Sequence, residues 1–125
     1  MITVNSQSGV RNRLMIRDCD DVAIKPADVI AVRYTVYGVY LGVYTAVEGH
    51  TNVLVAPEDV IFDETLTDEH TELEYNFEHR ISMIDNLPFP RRDWVYLAEY
   101  RFFDEDGEAH VHQYWFRTDR EATRT

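Results

Sequence analysis

The chain has 125 residues, 45% hydrophobic and 28% charged, with eight Tyr, six Phe and two Trp. That length suits a single domain with a core able to stand without disulfides or metal, and so many aromatics exclude a disordered chain. The formal net charge of −11 opposes binding to nucleic-acid phosphates, which requires clustered Lys and Arg.

The charge is unevenly laid out. Residues 1–17 carry no acidic side chain but hold Arg11, Arg13 and Arg17. Residues 34–79 carry no Lys or Arg and hold ten Asp or Glu. Such polarity suits contact between unlike patches, within the chain or head to tail between copies. Residues 1–13 are accordingly expected to form a flexible basic arm, with Arg11, Arg13 and Arg17 as the partner-binding residues.

A short first strand is expected over Leu14, Met15 and Ile16. Asp18, Cys19, Asp20 and Asp21 then form a turn, since short acidic side chains hydrogen-bond their own backbone. A lone Cys can close no internal bridge, and its acidic neighbours disfavour the thiolate that nucleophilic chemistry needs. Pro26 limits residues 22–25 to an edge piece. Residues 29–37 read as a strand with Ile30, Val32, Tyr34 and Val36 on one side. Gly38 and Gly42 bracket a tight turn or bulge, and a strand resumes over residues 43–47. Tyr40 and Tyr44 are candidates for an exposed aromatic platform for a sugar or protein partner. After a turn at Glu48, Gly49 and His50 comes a short strand over residues 52–56.

Pro57 followed by Glu58 and Asp59 predicts one helical turn to Val60, with a loop beyond it through residue 70. Alternation then returns, with Leu73, Tyr75, Phe77, His79, Ile81 and Met83 on one face. Pro88 and Pro90 make residues 85–92 a rigid connection. Residues 94–103 and 108–117 form a hairpin: Trp94, Tyr96, Ala98, Tyr100 and Phe102 share a face, and Gly107 ends the acidic turn. Residues 118–125 are a polar tail.

About seven short strands with regular turn signals and no long amphipathic helix predict an all-β protein, an immunoglobulin-like antiparallel β-sandwich over residues 14–117, with a barrel as the alternative. Tyr96, near the start of the penultimate strand, occupies the place where such sandwiches anchor the corner between sheets. No charged-then-apolar leader and no stretch of roughly 18 apolar residues is present. A soluble protein made in the cytoplasm, with no membrane partner, is expected.

Few constellations carry chemistry. His110 and His112 flank Val111, so on a strand they share a face, and with a third ligand they would form a metal site. The acidic turns at 18–21 and 104–107 lack the remaining positions of a calcium loop. No serine lies in a nucleophile elbow, and no glycine-rich phosphate loop exists. No catalytic residue, resident metal or cofactor is expected.

The segments Val-Ile-Ala-Val-Arg-Tyr-Thr-Val-Tyr (29–37), Val-Ile-Phe-Asp (60–63), Tyr-Asn-Phe (75–77) and 96–101 with Asp106 and Gly107 resemble small β-sandwich structural proteins of tailed bacteriophages and prophages. The resemblance runs over most of residues 29–117 and implies a non-enzymatic virion role at head, neck or tail. Its partners would be other virion proteins or copies of itself, and it supplies no catalytic residue. The alternative is a cytoplasmic ligand-binding protein or small metalloenzyme using His110 and His112.

Overall fold

The computed structural model describes residues 2–4, 10–81, 93–107 and 109–118. Among them nine strands run in chain order: β1 (Ile2–Val4), β2 (Val10–Leu14), β3 (Ala31–Tyr40), β4 (Val43–Ala46), β5 (Val53–Val55), β6 (Ile61–Thr67), β7 (Glu74–Ile81), β8 (Val95–Phe103) and β9 (Ala109–Thr118). A 3₁₀ turn at Pro26–Asp28 and the one-turn helix α1 (Pro57–Val60) complete the set. The expectations for residues 85–92, Met83, Glu108 and the tail from residue 119 lie outside the described residues.

Two sheets pack face to face. The larger is ordered β1-β9-β8-β3-β4, with β5 also pairing β3; the smaller is β2-β7-β6. All pairs are antiparallel except β1 with β9, which run parallel with Ile2 beside Phe116. The period-two pattern decides which side chains meet between the sheets. Val32, Tyr34 and Val36 of β3, Tyr96, Ala98, Tyr100 and Phe102 of β8, and Phe77 and Ile81 of β7 are buried there. Phe77 meets Tyr100 and Phe102 edge-on, with centroids 5.0 and 5.2 Å apart, the arrangement that opposes the positive ring edge to the negative face.

The last hairpin forms as expected, in continuous register from Val95 opposite Arg117 to Phe103 opposite Ala109. Gly107 supplies the positive φ of its turn. Helix α1 spans the four residues anticipated, because Pro57 fixes φ at its start and no amphipathic pattern prolongs it.

Several expectations are corrected. Beyond α1 the chain forms strand β6 rather than a loop: Ile61, Leu66 and Thr67 pair with β7 across an irregular register, and the intervening acidic residues face solvent. Gly38 lies inside β3, and the turn is a two-residue loop at Leu41 and Gly42. Ile30 precedes β3 and is exposed. Most consequential, residues 2–4 and 10–13 of the expected arm lie in strands, and Asn12 of β2 is fully buried. A polar strand is accommodated there because its inward side chain finds polar partners inside the sandwich.

Candidate functional site

A chain of polar groups runs through the space between the sheets. Asn12 Nδ2 donates to the Tyr100 hydroxyl at 2.7 Å, and that oxygen lies 2.9 Å from His79 Nδ1. The Tyr34 ring packs on His79 at 4.8 Å, and the Tyr34 hydroxyl lies 2.9 Å from His50 Nδ1. These residues come from β2, β8, β7, β3 and the β4–β5 loop. Burial and then the nearby His50 push His79 down to about 4, so its ring is neutral at ordinary pH. Burial pushes the phenols of Tyr34 and Tyr100 upward. Asn12 Oδ1 has no hydrogen-bond partner among the described residues. These groups, bonded to one another inside the core, link the sheets.

A second polar centre lies outside the small sheet. Arg13 donates from Nε to Glu78 at 2.8 Å and from Nη1 to Asp68 at 2.7 Å, with its guanidinium 4.5 Å from the centre of the Tyr75 ring. Asp68 Oδ1 also accepts the backbone N–H groups of His70 and Thr71, and these bonds together with Arg13 hold its carboxyl well below the usual range. Arg13 is thus committed within the chain. Arg11 lies 3.9 Å from Glu78 and Arg17 lies 3.7 Å from Asp21; both are exposed. The basic segment and the acidic middle do meet, within one molecule.

His110 and His112 stand opposite Phe102 and Tyr100 on the inward-facing rows of β9. Burial lowers His112, whose ring meets Phe102 edge-on at 5.5 Å. Among the described residues no third His, Cys, Asp or Glu joins them into a metal-holding group. Cys19 is exposed in its turn, where Asp18 Oδ1 accepts the N–H groups of Asp20 and Val22.

The β3–β4 hairpin places large apolar side chains in solvent. Tyr40, Leu41, Val43 and Tyr44 are 55%, 85%, 63% and 52% exposed. Residues 34–47 contain no charged side chain. Tyr40 and Tyr44 are exposed as expected but lie on opposite faces, because Tyr40 pairs with Val43 and Tyr44 with Val39. Tyr40 stacks on Trp94 at 4.7 Å, whereas Tyr44 meets Tyr37 and Trp115 edge-on at 6.2 and 6.3 Å on the outer face of the large sheet. The expected platform therefore divides in two. The sign in the sequence was the long uncharged run, which strand periodicity alone does not flag.

A groove of about 1030 Å³ opens between β2 and β9, with Val10, Leu14, Leu73, Tyr75, Ile81 and Tyr114 as its apolar lining. Arg11, Arg13, Arg80, Asp68 and Glu74 also border it.

No family model, curated protein or solved structure matches this chain.

Proposed function

We propose that the protein is a non-enzymatic, immunoglobulin-like interaction module that works in many copies, as a structural or assembly protein of a tailed-phage virion would at head, neck or tail. The observation that carries this reading is the disposition of its side chains: the titratable groups in the core are bonded to each other, while four large apolar residues stand exposed on one hairpin. Exposed apolar clusters of this kind mark contact surfaces.

The sheet order supports the fold half of the proposal. Strands β9-β8-β3-β4 follow the G-F-C-C′ order of variable-type immunoglobulin sandwiches and β2-β7-β6 follow B-E-D. The pairing of β5 with β3 departs from that plan. Buried Tyr96 near the start of β8 occupies the corner position, and the Asn12–Tyr100 bond joins the two strands that a disulfide joins in antibody domains. In this reading Arg11 and Arg17 meet an acidic neighbour, since both are exposed and their intrachain ion pairs are long, and Arg13 braces the strand that carries Arg11.

Sedimentation velocity over a concentration series tests the proposal. Association that grows with concentration is the expected result, and the share due to Arg11 and Arg17 should weaken as salt rises from about 0.05 to 0.5 M. A chain that stays monomeric at millimolar concentration overturns the assembly reading.

A further inference from the structure

We propose that the β3–β4 hairpin tip of one copy docks into the apolar groove between β2 and β9 of the next, head to tail. The inference rests on the multi-copy reading above and names the surfaces that carry it.

The turn that builds the tip is unusual in its chemistry. Leu41 and Gly42 are its two central residues, at φ +48° and +78°. Two-residue hairpin turns with both central φ positive favour Asn, Asp or Gly at the first position, because a bulky side chain there crowds its own backbone. Leu is poorly suited to the turn and well suited to insertion into an apolar pocket. Tyr40 and Val43 on one face of the hairpin and Tyr44 on the other are exposed as well, so its end is apolar on both sides.

The tip and the groove match in chemistry, size and position. The groove's apolar lining includes Leu14, Leu73, Ile81 and Tyr114. Its volume of about 1030 Å³ is at the upper end of the roughly 300–1,000 Å³ of pockets that hold compact ligands, which gives a narrow hairpin end room to enter. A chain of net charge −11 repels its own copies, and an uncharged tip adds no carboxylate of its own to a groove bordered by Arg11 and Arg80 as well as by Asp68 and Glu74. Strand β4 is one edge of the large sheet, while β9 lies toward the other. Unlike surfaces at opposite edges give a heterologous contact that propagates instead of closing as a two-fold pair. A bilayer fits less well, because anionic headgroups repel so acidic a protein and the tip has no adjacent Lys.

A tip of four side chains buries less than the roughly 1,000 Å² of a stable interface, so association is expected in the upper micromolar range. The test uses the full chain in 0.5 M salt, where the arginine contacts are screened. Leu41→Asn keeps a residue suited to positive φ, and Leu73→Glu alters an exposed groove residue; Val43→Thr is a second tip variant should either fail to fold by circular dichroism. Each variant alone should associate at least about tenfold more weakly than the parent. An equimolar mixture of Leu41→Asn and Leu73→Glu should regain dimers that grow no further, since each supplies the surface the other lacks. Association of the parent left unchanged by both variants overturns the docking while leaving the assembly reading in place. Absence of association in 0.5 M salt overturns the docking, and its absence at about 0.05 M salt as well overturns both. A mixture that fails to pair refutes the head-to-tail geometry, and a Leu41→Asn defect confined to binding phosphatidylcholine vesicles assigns the tip to lipid instead.

Discussion

The Asn12 amide and the Tyr100 hydroxyl, 88 positions apart in the chain, meet at 2.7 Å in the middle of the sandwich and join its two sheets. Tyr100 also lies against His79 Nδ1, so one hydroxyl serves two partners from the opposite sheet. Tyr100→Phe keeps the ring and its packing on Phe77 and removes only that oxygen. It should lower unfolding free energy by about 1–3 kcal/mol, because the amide of Asn12 is left buried without its acceptor. Urea unfolding should show a lower midpoint with unchanged slope.

Acid should loosen the same region. His79 titrates at about 4 in the folded chain against an ordinary 6.5, because burial and then His50 disfavour its charged form. A depressed folded value means that the stabilisation from the neutral ring is complete above about pH 6.5 and is lost as pH falls toward 4. A shift of that size corresponds to about 3 kcal/mol. His79→Gln should flatten the stability profile over that window. Asp68, held low by its backbone bonds and Arg13, adds its own loss at still lower pH, below the ordinary carboxylate value.

Removal of residues 1–13 should abolish folding. The deletion takes away Asn12 and Arg13 and nearly all of β2, which pairs with β7 from Val10 opposite Ile81 to Leu14 opposite Phe77. Far-ultraviolet circular dichroism of the truncated chain decides the matter; a retained β spectrum with a cooperative melt would show that the remaining strands stand alone.

Asn76 clamps the β2–β3 connection onto the small sheet. Its side chain accepts from the Ile16 N–H at 2.7 Å and donates to the carbonyls of Ile16 and Ile24 at 3.0 Å each. Asn76→Ala should cost about 3 kcal/mol by stranding buried backbone groups. Amide exchange should accelerate at Ile16 and Ile24, with β8 and β9 still protected.

The sequence was most legible where alternation was strict and the turn chemistry plain, as in the hairpin of β8 and β9. It was least legible where polar residues were put to structural use. Val10–Leu14 contains two arginines and an asparagine and resembles a solvated arm, because the partners that make it a strand, Glu78, Asp68 and Tyr100, lie more than fifty residues downstream. Strand β6 was hidden for a similar reason: its outward acidic residues and irregular register mask a pairing fixed only at its ends. The split between Tyr40 and Tyr44 follows from a turn confined to Leu41 and Gly42 rather than spread between Gly38 and Gly42, since the turn sets which faces of the two strands meet. The buried polar chain joins residues that no local pattern relates.

Ile2 lies beside Phe116 in the parallel pairing of β1 with β9. The first described strand therefore has no place to dock until β9, far along the chain, exists. At a synthesis rate of about 5–20 residues per second, β1 waits roughly ten seconds for its neighbour, while Asn12 of β2 likewise lacks Tyr100. The nascent chain thus exposes β1 while the strands between it and β9 are made, and the large sheet is completed only when β9 emerges from the ribosome.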